Sequence, residues 1–162
     1  MSTLALPLVC LALGQQPQLE PVDLMKAGVL GHVCKIVNGR AELLGRHPLV
    51  ESVVNFRRHE GERRKNFGRP EGEPTKLTFS VRMHNRAAVE VKPSVKVAIY
   101  NRYGVLLGDA RCHWGFDTIR PDDTYTEDKL LDMPDFHAMF AHSTLKLPPD
   151  METPGWVVVS DD

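Results

Sequence analysis

Thr75-Lys-Leu-Thr-Phe-Ser-Val-Arg-Met-His84, Ser94-Val-Lys-Val-Ala-Ile-Tyr-Asn-Arg-Tyr-Gly104 and Ala110-Arg-Cys-His-Trp-Gly-Phe116 follow one another through the middle of the chain. In the first, Leu77, Phe79, Val81 and Met83 alternate with Thr78, Ser80, Arg82 and His84. A period of two is the mark of a strand with one buried face. Val95, Val97 and Ile99 repeat it, as do Ala110, Cys112, Trp114 and Phe116. The expected fold is all-β, a single antiparallel β-sandwich of seven to nine strands with one or two short helices. Leu77, Phe79, Val81, Val95, Val97, Ile99, Trp114, Phe116 and Val158 form its expected core.

The turns between these strands are also legible. Residues 100–104 end in Gly and suit a hairpin, with Gly104 at positive φ. Gly108-Asp109 permits a kink or bulge. Pro121-Asp122 builds a turn before a strand from Thr124. Residues 49–56 read as another strand, with Val50, Val54 and Phe56 on one face. Trp156-Val-Val-Val-Ser160 reads as the last strand, buried on both faces or pairing at an edge. Leu130, Leu131, Met133, Phe136, Met139 and Phe140 approach helical spacing, but Pro134 interrupts it. A short helix over residues 136–141, capped by Asp132 or Asp135, is expected there.

At 162 residues, with 42% apolar and 25% charged side chains, the chain is long enough to bury a core without metals or several disulfides. A net charge of −1 gives no general attraction to nucleic acid. The charge is split, however: residues 1–108 hold 16 Lys or Arg against 9 Asp or Glu, and residues 109–162 hold 4 against 12. Either the molecule is a dipole that favours head-to-tail association, or interleaved strands mix the two signs.

Three segments are expected along the chain. Residues 1–14 read as a signal peptide: an apolar run over residues 4–13, too short to span a bilayer, ends in small residues before Gln15, although no Lys or Arg precedes it. The alternative is an amino-terminal arm that packs on the domain or on a neighbour. Residues 15–48 read as an extension. A short helix would open at Pro21, and a hairpin would turn at Asn38-Gly39 and pair residues 33–37 with 41–44. Residues 49–162 are then the sandwich. Removing the first segment takes Cys10 away and leaves Cys34 and Cys112, which either form a disulfide in an oxidising compartment or remain buried thiols.

Residues 57–69 hold Arg57, Arg58, Arg63, Arg64, Lys65 and Arg69 with two Glu and one aromatic, Phe67. They read either as an anion or phosphate contact, for RNA or an anionic membrane, or as a solvated loop. No catalytic residue, metal site or cofactor is expected. The chain has no Gly-x-Ser-x-Gly, no phosphate-binding Gly loop and no Cys-x-x-Cys. Asp135, His137 and His142 are the nearest approach to a metal set, but His at i and i+5 lie about 140° apart on a helix. Asp122-Asp123 and Asp161-Asp162 lack the alternating oxygen ligands that Ca²⁺ prefers. Cys112 and His113, adjacent on a strand, point to opposite faces.

Val97-Ala-Ile-Tyr-Asn101, Gly104, Leu107-Gly108 and Ile119-x-Pro-x-Asp-x-Tyr125 resemble the FxLYD-type domains and related immunoglobulin-like sandwiches of bacterial envelope proteins. The resemblance covers residues 75–128. Asn101 stands where that pattern has Asp, and Asp122 where Gly is usual. It implies an immunoglobulin-like, envelope-located, non-catalytic adhesion or assembly module and offers no catalytic residues. The expected function is therefore a protein-interaction or structural module, periplasmic, envelope-associated or secreted, working through a sandwich face or edge strand. The alternative is a self-assembling capsid- or matrix-like subunit, intracellular or in a virion, whose basic loop meets nucleic acid or membrane. No small-molecule substrate is indicated.

Overall fold

A computed structural model describes residues 17–59, 63–66, 69–72, 75–113 and 118–162. The strands are β1 (His32–Lys35), β2 (Arg40–Glu42), β3 (Val50–His59), β4 (Arg63–Asn66), β5 (Arg69–Gly72), β6 (Lys76–His84), β7 (Ser94–Asn101), β8 (Leu106–His113), β9 (Thr124–Asp132) and β10 (Pro154–Asp161). One short helix, α1 (Phe136–Met139), precedes β10. Two antiparallel four-stranded sheets form an all-β sandwich: sheet 1 in the order β1-β10-β7-β8, and sheet 2 in the order β2-β3-β6-β9. β4 and β5 make a separate two-stranded ribbon between β3 and β6.

The alternation in β6 does what a period of two requires. Leu77, Phe79, Val81 and Met83 are all buried, and Val95, Val97 and Ile99 of β7 meet them from the other sheet side of the core. Val158 is buried as well. Trp114 and Phe116 lie outside the described residues. β6 pairs with β9 without a register break from Lys76↔Asp132 to His84↔Thr124. The expected kink at Gly108 is a register shift at Ile99/Tyr100, where Gly108 has φ +154°. A Cβ on Gly108 would sit 2.7 Å from Leu131 Cδ1, so the bare backbone lets the sheets approach there.

Several expectations change. β3 carries two irregularities, between Val50 and Ser52 and between Val54 and Arg57. These put Val50 and Val53 in the core and Phe56 against Phe79, ring centroids 6.0 Å apart, while Val54 pairs with Ser80 of the outer row. Strict alternation fails because each bulge adds a residue to one strand. The Asn38-Gly39 turn forms, with φ +51° and +71°. Only Val37 and Arg40 pair across it, since β1 joins β10 and β2 joins β3. Residues 32–42 thus belong to the sandwich, not to an extension before it. Pro21 opens a turn rather than a helix: Asp23 caps it through Met25 N at 3.0 Å, and Gly28 ends it at φ +69°. Residues 129–132 finish β9, and α1 begins after Pro134 with Asp135 as its cap, accepting from Ala138 N at 3.0 Å.

The charge halves are mixed, as interleaving requires. Arg58–Glu152 (2.8 Å), Lys96–Asp109 (2.8 Å), Arg102–Asp150 (3.0 Å) and His84–Asp122 (3.0 Å) all join the basic half to the acidic half. Residues 1–14, the expected leader or arm, lie outside the described residues. Among those described, no helix is long and apolar enough to cross a membrane.

Candidate functional site

The two outer faces of the sandwich differ. On sheet 1, Ala98, Trp156 and Val158 point away from the main core and are nevertheless buried. Residues 22–31 run over that side: Val22 N donates to Arg102 O at 2.9 Å, and Leu24 lies against Gly104. Gly31 approaches so closely that a Cβ would stand 2.8 Å from Val159 O. On sheet 2 the outer row stays open. Thr124, Thr126, Asp128 and Leu130 of β9 are exposed, and so are Asn55 and Arg57 of β3.

A groove of about 480 Å³ crosses this open face, lined by Asn55, Arg57, Thr78, Ser80, Asp128 and Leu130 among others. The second β3 bulge shapes it. Asn55 takes φ +59°, the left-handed region that Asn tolerates best among non-glycine residues. Its Nδ2 donates to Ser80 Oγ at 3.3 Å, and Ser80 Oγ donates to Asp128 Oδ1 at 2.6 Å. The row Asn55–Ser80–Asp128 is fixed across three strands. The Arg57 guanidinium beside it has no side-chain partner among the described residues.

The six expected anion contacts fall into three settings. Arg57 lines the groove, and Arg58 pairs with Glu152. Arg63, Arg64 and Lys65 lie on β4 and Arg69 on β5, in the register Arg63↔Gly72, Arg64↔Glu71, Lys65↔Pro70 and Asn66↔Arg69. The expected loop therefore contains a two-stranded β-ribbon. Phe67 is outside the described residues.

Cys34 and Cys112 are not bonded to each other; both are buried free thiols. They sit on the two edge strands of sheet 1, with β10 and β7 between them. Three strand spacings come to about 14 Å, and a disulfide needs Cα atoms within about 7 Å. Cys34 Sγ donates instead to Glu42 O at 2.9 Å, tying β1 to β2. Burial pushes the Cys112 thiol up to about 12, and the Glu127 charge beside it acts in the same direction. A thiol so held is protonated at neutral pH and is a poor nucleophile.

Two polar clusters were missed in reading the sequence. His84 on β6 lies between two carboxylates, Nδ1 at 3.1 Å from Glu51 Oε1 and Nε2 at 3.0 Å from Asp122 Oδ1. Hydrogen bonds to Asp122 and then Glu51 raise its pKa. Burial pushes the Glu51 carboxyl up, but hydrogen bonds from His84 and Arg86 outweigh this and hold it below its usual value. The second cluster is His47, only 3% exposed, whose ring meets His32 edge-on at 4.9 Å. Burial and then His32 lower its pKa. Asp135 is committed to capping α1 and Asp122 to His84. Among the described residues no group of three or more His, Cys, Asp or Glu is placed to hold a metal ion.

The chain matches no protein-family model, no curated protein and no solved structure.

Proposed function

We propose that this chain is a non-enzymatic binding or structural module whose working surface is the open outer face of sheet 2. The observation that carries this reading is the asymmetry of the sandwich. On one outer face Ala98, Trp156 and Val158 are buried and residues 22–31 lie close to the sheet at Gly31; the outer row of the other is exposed and carries a bulge-shaped groove. Reactive chemistry finds little support in the site. Both nitrogens of His84 are engaged by carboxylates, the Cys112 thiol is held protonated, and Ser80 already donates to Asp128. The test is a photo-crosslinking side chain at Thr126, on the open face, in cells of the source organism, with Glu20 as the control position. A discrete adduct at Thr126 that the control lacks supports the module; equal labelling at both removes it. Export is part of this reading through residues 1–14, and a mature amino terminus at Gln15 is the expected result. An intact Met1 in the mature protein argues against export.

A second reading has its own observation. Arg57 lines the groove with no side-chain partner among the described residues, and the ribbon that follows β3 in the chain carries Arg63, Arg64, Lys65 and Arg69. That series suits a self-assembling subunit that meets a polyanion along one line.

A further inference from the structure

We propose that the start of β3 is held by a two-histidine clamp, complete only while His47 is neutral and His84 is protonated, so that residues 47–51 loosen in both acid and alkali. The geometry of the hydrogen bonds carries this. His47 Nδ1 accepts from Leu49 N at 3.1 Å and from Val50 N at 2.8 Å. Its ring proton must therefore sit on Nε2, which is buried without an acceptor. A second proton has to enter at Nδ1, where two backbone N–H groups already point. Protonation thus breaks both bonds and releases the strand's first amides. The same tautomer takes the Nε2 lone pair away from any metal. The groups facing His47 are His32 on β1 and Asp161 at the end of β10, with Arg46 beside it in the chain. His32 disfavours a further positive charge and Asp161 favours one.

His84 works in the opposite sense. Its two nitrogens face carboxylates, which only accept when ionised, so both nitrogens must donate. Losing one proton turns a donor into a lone pair aimed at an anion. Glu51 keeps Arg82 at 3.2 Å and Arg86 at 3.0 Å. Either Glu51 or Asp122 then loses its hydrogen bond to His84, and the bridge that runs from β3 through His84 to the turn before β9 opens. From β9, the residue opposite His84 is Thr124, which does not titrate. The two histidines meet at one residue: the backbone N–H of His84 donates to Leu49 O at 2.9 Å, while Leu49 N donates to the His47 ring.

The signs follow. The pKa of His47 is lowered on folding, so its contribution is present above the ordinary value of 6.5 and is lost as pH falls towards the folded value. The pKa of His84 is raised on folding, so its contribution is full below 6.5 and is lost as pH rises through the folded value. Protection of this segment therefore peaks near 6.5.

The test is hydrogen exchange of the Leu49 and Val50 amides in the full chain across the range of histidine titration, corrected for intrinsic rates. Protection should fall on each side by up to about tenfold per pH unit, the limit for one linked proton. His47→Asn keeps an acceptor for the two amides without titrating, and should flatten the acid side alone. His84→Gln should flatten the alkaline side alone. In the unaltered protein, ring ¹⁵N shifts near neutrality should show His47 as the Nε2–H tautomer and His84 doubly protonated. Protection independent of pH, or a His47 ring carrying its proton on Nδ1, overturns the clamp.

Discussion

Phe79→Ala should cost about 3–5 kcal/mol of folding stability, the usual range for truncating a fully buried aromatic. Phe79 is among the largest side chains with essentially no exposure, and it sits on β6 at the centre of sheet 2. Its loss removes transfer energy and leaves a void that the paired strands on either side resist closing. It also removes the stacked partner of Phe56, whose position depends on the Asn55 bulge. In a chain of this length that cost lowers the melting temperature by on the order of 10 °C. Thr126→Ala, exposed on the outer row of the neighbouring β9, is the control and should change stability by about 0.5 kcal/mol or less. Urea melts of both variants decide the matter. A Phe79→Ala midpoint indistinguishable from the unaltered protein would mean that the alternation in β6 does not bury that ring.

That prediction rests on the part of the fold most open to reading from residues. β6 and β7 keep their apolar alternation because each pairs on both sides and its inward residues are buried. The turns at Gly104 and Asp122 could be read because positive φ restricts residue choice so strongly. β3 was harder. Two bulges shift its facing residues, and nothing in Val-Glu-Ser-Val-Val-Asn-Phe announces an added residue. Asn38-Gly39 specified a turn, but a turn does not state which sheet its flanks will join. The ribbon was hidden by its composition, since a dense run of like charges has no apolar period to follow.

The clusters were less legible still. Counting cysteines suggested that Cys34 and Cys112 could pair, yet parity carries no distance, and they lie on opposite edges of one sheet. His84 meets Glu51 and Asp122 from separations of 33 and 38 residues, so no local motif could bring them together. His47 acts over two and three residues, and its signal was present: a polar ring just before an apolar strand, placed to accept from that strand's first amides. The anion-binding reading of residues 57–69 was partly diluted by the fold, which pairs Arg58 with Glu152 and places Arg57 along the groove.

Asn101→Asp is the other large effect, and its cost should grow with pH. Asn101 is 0% exposed and joins the turn after β7 to the segment before β10. Its Oδ1 accepts from Tyr103 N at 3.0 Å and Val105 N at 2.9 Å, while its Nδ2 donates to Met151 O at 2.9 Å. A carboxylate there could still accept from the two amides, but its second oxygen would face the Met151 carbonyl with no hydrogen between them. Nearby, Asp150 already accepts from the Tyr103 hydroxyl at 2.7 Å and pairs with Arg102. The added charge would be buried beside an existing one, and an uncompensated buried charge costs about 3–5 kcal/mol. Protonation relieves this, because the acid form can donate to Met151 O. The folded carboxyl is thus raised above the ordinary Asp value of about 3.9. The variant should lie closest to the unaltered protein below that value and lose stability as pH rises through it towards the raised folded value. Paired urea melts at pH 4 and pH 7 measure the difference. An equal penalty at the two pH values would mean that the side chain at 101 reaches water, and the amide would then not be what joins the two segments.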